Sequence, residues 1–375
     1  MPKKRVLLMY VHERSGHHQA ALAIQKAIEV LDPRAECRLV DSIRYVHPIL
    51  EKFFRRAYLQ LVKKNPGIWE YLYDNPNVFR STTKLRELIH RSHSKKLEKL
   101  FKDFEPTDVV CTQAFPCAVI SEFKKTHDLK ARHFAVLTDF FPHSYWPSQY
   151  VDRYFVPSRE SRQKLSQEGI AERLVIISGI PIDYPQISGE DAPVSGIPQI
   201  LLMGGSQGLG PMEKILRALD RLNEEFEIVV LTGLNRKLFK ELHALKDELK
   251  KKTRVISYTE SIGGYFRSAK ILITKPGGLT VAHALAFGTP MIFIEPIPGQ
   301  EVKNSEFLLS RGAALEAASE EEAASQVALL LRSQAKLESL KKNMAMLAHP
   351  DAARQIAREV LSNGPCLTDR QAGAS

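Results

Sequence analysis

The stretch from Thr274 to Asn304, TKPGGLTVAHALAFGTPMIFIEPIPGQEVKN, carries the strongest chemical pattern in the chain. Pro276, Gly277 and Gly278 break the apolar run Ile271–Ile273 and make a tight turn. Leu279, Ala282, Leu285 and Ala286 follow at helical spacing. A strand, a glycine turn and a helix start together make an anion site. The free N–H groups of the first helical turn and the positive end of the helix dipole point at whatever lies over the glycines. Lys275 adds a cation and Thr280 a hydroxyl donor. A second apolar run, Met291–Ile294, ends in Pro296 to Glu301, which places Gln300, Glu301 and Asn304 at the opening of a second helix. A diphosphate on one helix end and a polyhydroxylated group on the next is the pattern of a nucleotide-sugar site.

A second group of candidates lies in the first half. Val6–Val11 is a near-continuous apolar run, the mark of a central parallel strand, and Gly16-His17 follows it. Phe134–Leu137 is another such run, followed by Asp139, His143 and Trp146. Residues after the carboxyl ends of such strands face the ligand in doubly wound folds. His17 either caps the helix it opens or stands near a reacting centre, and Asp139 either caps a helix or faces the same cleft. His12 and His18 read as bystanders. The order His-Glu-Arg-Ser-Gly lacks the second histidine of a zinc-protease helix. The loop Gly204–Gly210, with Gly205 and Gly208, is neither a P-loop nor a dinucleotide fingerprint.

The elements that position these residues alternate in the doubly wound α/β manner. Helix is expected from about His17 to Leu31, strand over Cys37–Val40 and Asp108–Thr112, and a helix to about Lys125. Strands follow at Gln199–Met203, Ile228–Thr232, Arg254–Tyr258 and Met291–Ile294, and the chain from Glu316 onward reads as helix. At 375 residues, with about 150 residues per domain as a guide, two domains are expected. We place them at 1–185 and 196–348, joined by a Gly-, Pro- and Ser-rich linker over 185–198. A C-terminal helix over 349–363 can cross back onto the first domain, and 364–375 reads as a disordered tail.

Composition narrows the function class. Hydrophobic residues make up 44% and charged residues 26%, an ordinary globular balance. The net charge of +10 calls for an acidic partner: nucleic acid, an anionic membrane or a diphosphate. Four cysteines without metal-ligand spacing or a disulfide framework point to a reducing compartment. No apolar run approaches the roughly 20 residues that span a bilayer, so membrane contact is expected to be peripheral. Between Tyr45 and Lys102 two basic amphipathic segments interrupt the alternation. One carries Phe53, Phe54, Arg55 and Arg56; the other runs from Lys84 to Lys102 and carries Lys95 and Lys96; Trp69, Tyr71 and Tyr73 lie between them. They read either as helices packed on the sheet or as an interfacial surface for anionic headgroups. No stacking motif for nucleic acid is present, and no nucleic-acid partner is expected.

Three segments carry a family resemblance: Gly16-His17, Thr138-Asp139 with His143-x-x-Trp146, and Lys275–Gly278 with Gly299–Glu301 and Asn304. Together they resemble glycosyltransferase family 28, the group of monogalactosyldiacylglycerol synthases and processive diacylglycerol glucosyltransferases. The resemblance runs to about Asn363. It implies the GT-B architecture, two Rossmann-like domains facing each other across a cleft. The implied activity is inverting transfer of galactose or glucose from a UDP-sugar to diacylglycerol or a related lipid, with no metal and no further cofactor. It implies His17 and Asp139 as catalytic residues, and Gly16, His143 and Trp146 at the acceptor. For the donor it implies Gly205, Gly208, Lys275, Gly277, Gly278, Leu279, Thr280, His283, Gln300, Glu301 and Asn304. It also implies work on the inner face of the cell membrane, from the cytoplasm. Two departures stand out: His283 replaces a family Glu expected at the ribose, and Thr112-Gln113-Ala114 replaces Thr-His-Pro. A peptidoglycan N-acetylglucosaminyltransferase and a non-catalytic GT-B protein that binds a membrane or nucleotide remain the alternatives.

Overall fold

The computed structural model describes residues 3–46, 95–127, 129–143, 145–148, 150–184 and 196–364. The expected amphipathic segment around Phe53 to Arg56, most of the one from Lys84 onward, the three aromatics between them, most of the linker and the tail beyond residue 364 lie outside these residues. Two compact units result. One takes in the described residues up to Asp183 together with those from Pro350 onward; the other is Tyr184–His349.

The first unit is built on six parallel strands: β1 (Arg5–Tyr10), β2 (Glu36–Asp41), β3 (Asp108–Cys111), β4 (Arg132–Val136), β5 (Arg153–Val156) and β6 (Val175–Ile177). Their order across the sheet is β2-β1-β3-β4-β5-β6. The chain leaves β1 on one side, returns on the other, and so creates a switch point between β1 and β3. In such sheets ligands collect there, at the carboxyl ends of the strands. Successive side chains of β1 point to opposite faces, so both faces are covered. Leu7 and Met9 pack with Val109, Ile120 and Phe123, whereas Val6, Leu8 and Tyr10 pack with Ile24, Ile28 and Phe155.

Helix α1 (Gly16–Leu31) follows β1. Ser15 caps it by accepting a hydrogen bond from the His18 N–H. Its buried stripe of Ala20, Ala21, Ala23, Ile24, Ala27 and Ile28 holds four alanines, small enough for a second helix to approach closely. In the same unit, helix α2 (Ala114–Thr126) follows β3 and helix α3 (Arg159–Gln167) follows β5.

In the second unit the strands are β7 (Gln199–Met203), β8 (Glu227–Leu231), β9 (Thr253–Ile256), β10 (Ala269–Thr274), β11 (Met291–Ile294) and β12 (Leu315–Ala317). Their order, β12-β11-β10-β7-β8-β9, is that of a six-stranded Rossmann sheet, with the switch point between β7 and β10. The helices used below are α4 (Arg236–Leu245), α5 (Gly263–Ser268), α6 (Gly278–Phe287) and α7 (Gln300–Leu309).

The sequence departs from expectation after Glu316. That residue lies in β12, and the helices α8 (Glu320–Arg332), α9 (Gln334–Ala345) and α10 (Ala352–Leu361) follow as separate pieces. Ser319 opens α8 and Ser333 separates α8 from α9, each hydroxyl oxygen accepting an N–H of the following first turn. Helix α10 packs its Ala353, Ile356, Ala357 and Val360 with the α1 residues Ala21, Ile24 and Ile28 in the core of the first unit. Its carboxyl end is held by charge. Arg132 donates to the Val360 carbonyl and pairs with buried Asp108, and Lys4 reaches both Asp108 and the Ser362 carbonyl. A cation at the negative end of a helix dipole is the favoured arrangement.

Candidate active site

The first cluster sits at the switch point of the first sheet. Between β1 and α1 the chain makes a tight loop in which His12 (φ 64°) and Arg14 (φ 63°) both adopt the left-handed region. Two such residues store on the order of 1–3 kcal/mol each, and strain of this kind concentrates at functional loops. Ser15 ties the loop down by donating its hydroxyl to the Val11 and His12 carbonyls.

His17, in the first turn of α1, reaches across to the neighbouring strand. Its Nδ1 lies 3.0 Å from the Thr112 carbonyl oxygen at the end of β3, and 2.9 Å from the Thr138 hydroxyl just beyond β4. A carbonyl oxygen only accepts, so Nδ1 carries the proton and Nε2 keeps its lone pair. Burial pushes the His17 pKa down to about 4; the Thr112 hydrogen bond opposes this, and nearby His12 adds to it. The ring is therefore neutral at physiological pH, with an unprotonated Nε2.

Asp139 is next after Thr138 and partly exposed. The next described helix begins only at Arg159, and Ser158 caps it, so helix capping does not account for Asp139. His143 shows the opposite tautomer from His17. Its Nδ1 accepts the Tyr145 N–H at 3.2 Å, which in the neutral ring puts the proton on Nε2. Its ring stacks on Trp146 with centroids 5.9 Å apart. Trp146 itself is 4% exposed and belongs to the core, so it carries His143. His18 has other partners. Its ring lies against Tyr10 with centroids 4.4 Å apart and planes tilted by 38°, and its Nδ1 accepts the Arg14 N–H.

The second cluster sits at the switch point of the second sheet. Helix α6 begins at Gly278 with Gly277 as its N-cap, and α7 begins at Gln300 with Gly299 (φ 91°) as its N-cap; no side chain caps either. At Gly277 the backbone is ordinary (φ −69°), and an added Cβ would meet only Glu301 Oε1 at 3.7 Å. Neither conformation nor packing inside the protein demands glycine there. A bare backbone suits the close approach of a ligand to the helix end. Gly205 (φ 68°) likewise has open space where a Cβ would stand. Gly208 differs: a Cβ there would lie 2.1 Å from the Thr232 carbonyl oxygen, and Asn235 donates from Nδ2 to the Gly208 carbonyl, so packing on the β8–α4 loop fixes this glycine.

The two helix ends are tied together. Asn304, fully buried in α7, donates from Nδ2 to the Pro276 carbonyl at 3.0 Å. Glu301 accepts the Ile297 N–H through Oε2 and keeps Oε1 toward Gly277. Lys275, Leu279, Thr280 and Gln300 are all partly exposed around these ends. His283, expected to face a nucleotide, is 5% exposed and stacks on Phe266 of α5 at 5.4 Å. Its Nδ1 lies 2.7 Å from the Leu279 carbonyl, so that proton is spent inside the helix.

Sequence reasoning passed over Thr112 and Thr138 as site residues. Each is a buried polar residue that closes an apolar strand run, DVVCT and HFAVLT, at the end of the sheet where ligands bind. That position was the available signal.

Two parallel Rossmann-like sheets in one chain, with a neutral histidine at one switch point and glycine-capped helix ends at the other, define the GT-B class of nucleotide-sugar enzymes. The comparisons with known proteins are specific. The monogalactosyldiacylglycerol (MGDG) synthase family model matches residues 17–182, and the glycosyltransferase family 28 C-terminal domain model matches residues 199–357. The chain belongs to glycosyltransferase family 28, in its monogalactosyldiacylglycerol synthase and processive diacylglycerol glucosyltransferase group. The processive diacylglycerol beta-glucosyltransferase of Bacillus subtilis strain 168 is 28% identical over 380 residues, covering 98% of this chain and 97% of its own. Among solved structures, MurG of Acinetobacter baumannii aligns over 96% of this chain and 99% of its own (TM-score 0.58, 14% identity). A UDP-GlcNAc 2-epimerase from Neisseria meningitidis bound to UDP-GlcNAc aligns over 96% and 100% (TM-score 0.60, 14% identity). These two likenesses concern the fold.

Proposed function

We propose that this chain transfers a hexose from a UDP-sugar to the hydroxyl of diacylglycerol or a closely related lipid, with inversion at the anomeric carbon. The observation that carries the reading is His17: neutral, with Nδ1–H bound to the Thr112 carbonyl and Nε2 open to take a proton. In the reaction, Nε2 takes the proton of the lipid hydroxyl as that oxygen attacks the anomeric carbon. The bond from that carbon to the diphosphate breaks, and UDP leaves with the electron pair. Asp139 assists beside the base, and His143 lines the acceptor side.

The donor side supplies charge stabilisation. Negative charge grows on the leaving diphosphate, and the first-turn N–H groups at Gly278, Leu279 and Thr280 suit it, with the bare backbone of Gly277 beside them and the Lys275 ammonium close by in sequence. Gly205 leaves room for close approach. Gln300 and Glu301, at the next helix end, suit the hydroxyls of the sugar or ribose.

The acceptor places the work at a membrane surface, which we take to be the inner face of the cell membrane. The net charge of +10 suits an anionic surface, and no described helix is long and apolar enough to cross a bilayer. The test is to incubate purified protein with UDP-glucose, UDP-galactose or UDP-N-acetylglucosamine and diacylglycerol vesicles, then to read the lipid products. Glycosyl-diacylglycerol supports the reading. UDP binding without any sugar transfer would leave the non-catalytic alternative.

A further inference from the structure

We infer that Thr112 and Thr138 are positioning residues that fix the tautomer and aim of His17; the inference rests on the reading of His17 as the base. Each threonine stands just past the carboxyl end of its strand, and both are buried, at 0% and 3% exposure. Thr112 acts twice. Its carbonyl oxygen takes the Nδ1 proton of His17, and its hydroxyl donates to the backbone carbonyl of the same histidine at 2.8 Å. Its N–H in turn bonds the Met9 carbonyl, so the clamp is anchored on the central strand. The first turn of α1 is thereby fastened to β3 at both the backbone and the ring.

Thr138 acts on the ring alone, and its Oγ1 shares the Nδ1 proton with the Thr112 carbonyl. This sharing has little weight while His17 is neutral. When Nε2 takes the acceptor's proton the ring becomes a cation, and two oxygens already face the Nδ1–H that carries part of the new charge. Hydrogen bonds to the charged form favour that form. The surroundings otherwise resist it: burial opposes the cation, and so does His12, the titratable neighbour in the β1–α1 loop. Asp139 adjoins Thr138 in the chain. The two threonines thus supply at the reacting step what the buried site withholds at rest, in the manner of an orienting group behind a catalytic base.

The test uses the full chain with Thr138→Val, which keeps the shape and removes the hydroxyl, and Thr138→Ser, which restores it. A hydrogen bond to a charged partner corresponds to roughly a ten- to hundredfold effect on kcat. Thr138→Val is expected to lose that much kcat with the KM for UDP-sugar within about twofold, and Thr138→Ser to recover most of it. On a His17→Ala background, Thr138→Val is expected to cost nothing further, because its effect passes through the ring. Nitrogen-15 NMR of the wild-type histidines is expected to show His17 protonated at Nδ1 only. An Nε2–H tautomer, an unchanged kcat in Thr138→Val, or an equal loss on the His17→Ala background would each overturn the inference. Wild-type turnover in His17→Ala alone overturns instead the reading of His17 as the base.

Discussion

Asn304 Nδ2 lies 3.0 Å from the carbonyl oxygen of Pro276, and through this hydrogen bond the first turns of α7 hold the loop that opens α6. Two uncapped helix ends are thereby kept in register. Asn304→Ala leaves the Pro276 carbonyl without that donor, a loss of about 1–3 kcal/mol, and lets the glycine turn drift. UDP affinity measured by calorimetry is expected to fall roughly five- to hundredfold. Unchanged affinity would mean that the turn holds itself.

A buried ion pair stands at the amino ends of β4 and β5 in the first sheet. Lys124 and Asp152 meet at 3.1 Å with side chains 1% and 5% exposed. Lys124 also bonds the Ala131 carbonyl, and Asp152 accepts the His133 N–H. Lys124→Met strands the carboxylate in the core and is expected to cost about 3–5 kcal/mol in urea unfolding. A cost below about 1 kcal/mol would show that water or another cation reaches Asp152.

Stability is expected to depend on pH through two histidines. Burial lowers the pKa of both His17 and His133 from 6.5 to about 4. Above pH 6.5 both are neutral in the folded and unfolded states and contribute no slope. Between about 6.5 and 4 the unfolded chain binds protons that the folded chain refuses, so stability falls as pH falls, and the loss is complete below about 4. Each histidine contributes on the order of 3 kcal/mol across that window. His133, whose Nδ1 bonds the Tyr150 carbonyl, is far from the reacting groups in the fold's logic, at the amino end of β4. Denaturant titrations of His133→Asn from pH 7 to pH 4.5 are expected to show a shallower slope than wild type. Parallel slopes would remove His133 from this account.

Much of this was legible in the sequence because parallel strands buried on both faces leave continuous apolar runs. Gln199–Met203 and Met291–Ile294 were read at their true bounds for that reason. Glycine turns marked both helix ends at the donor side. The three-residue strands Val175–Ile177 and Leu315–Ala317 are too short to show a period, and a helical composition hid the second of them. The tautomers were beyond reach, since the carbonyl of Thr112 and the N–H of Tyr145 have no side-chain signature. The Thr112 carbonyl also answers for part of the departure at Thr112-Gln113-Ala114: a backbone group bonds His17 there whatever the neighbouring side chains are.

His283 is where the chain leaves its family's pattern. Its Nδ1 is committed to the Leu279 carbonyl and its ring is buried and stacked on Phe266, so the side chain is held inside the fold. His283→Ala is therefore expected to cost about 2–5 kcal/mol in urea unfolding, the range for emptying a packed core position. A cost below about 1 kcal/mol would show that the ring contributes little to packing.

The most direct test of the account is the turnover of His17→Ala with UDP-sugar and diacylglycerol, measured beside its UDP affinity. Removal of a general base lowers the rate by roughly 10²–10⁴. The expected result is a loss of that size with UDP binding within about twofold of wild type. Turnover at the wild-type rate would contradict the central claim that Nε2 of His17 takes the proton from the lipid hydroxyl.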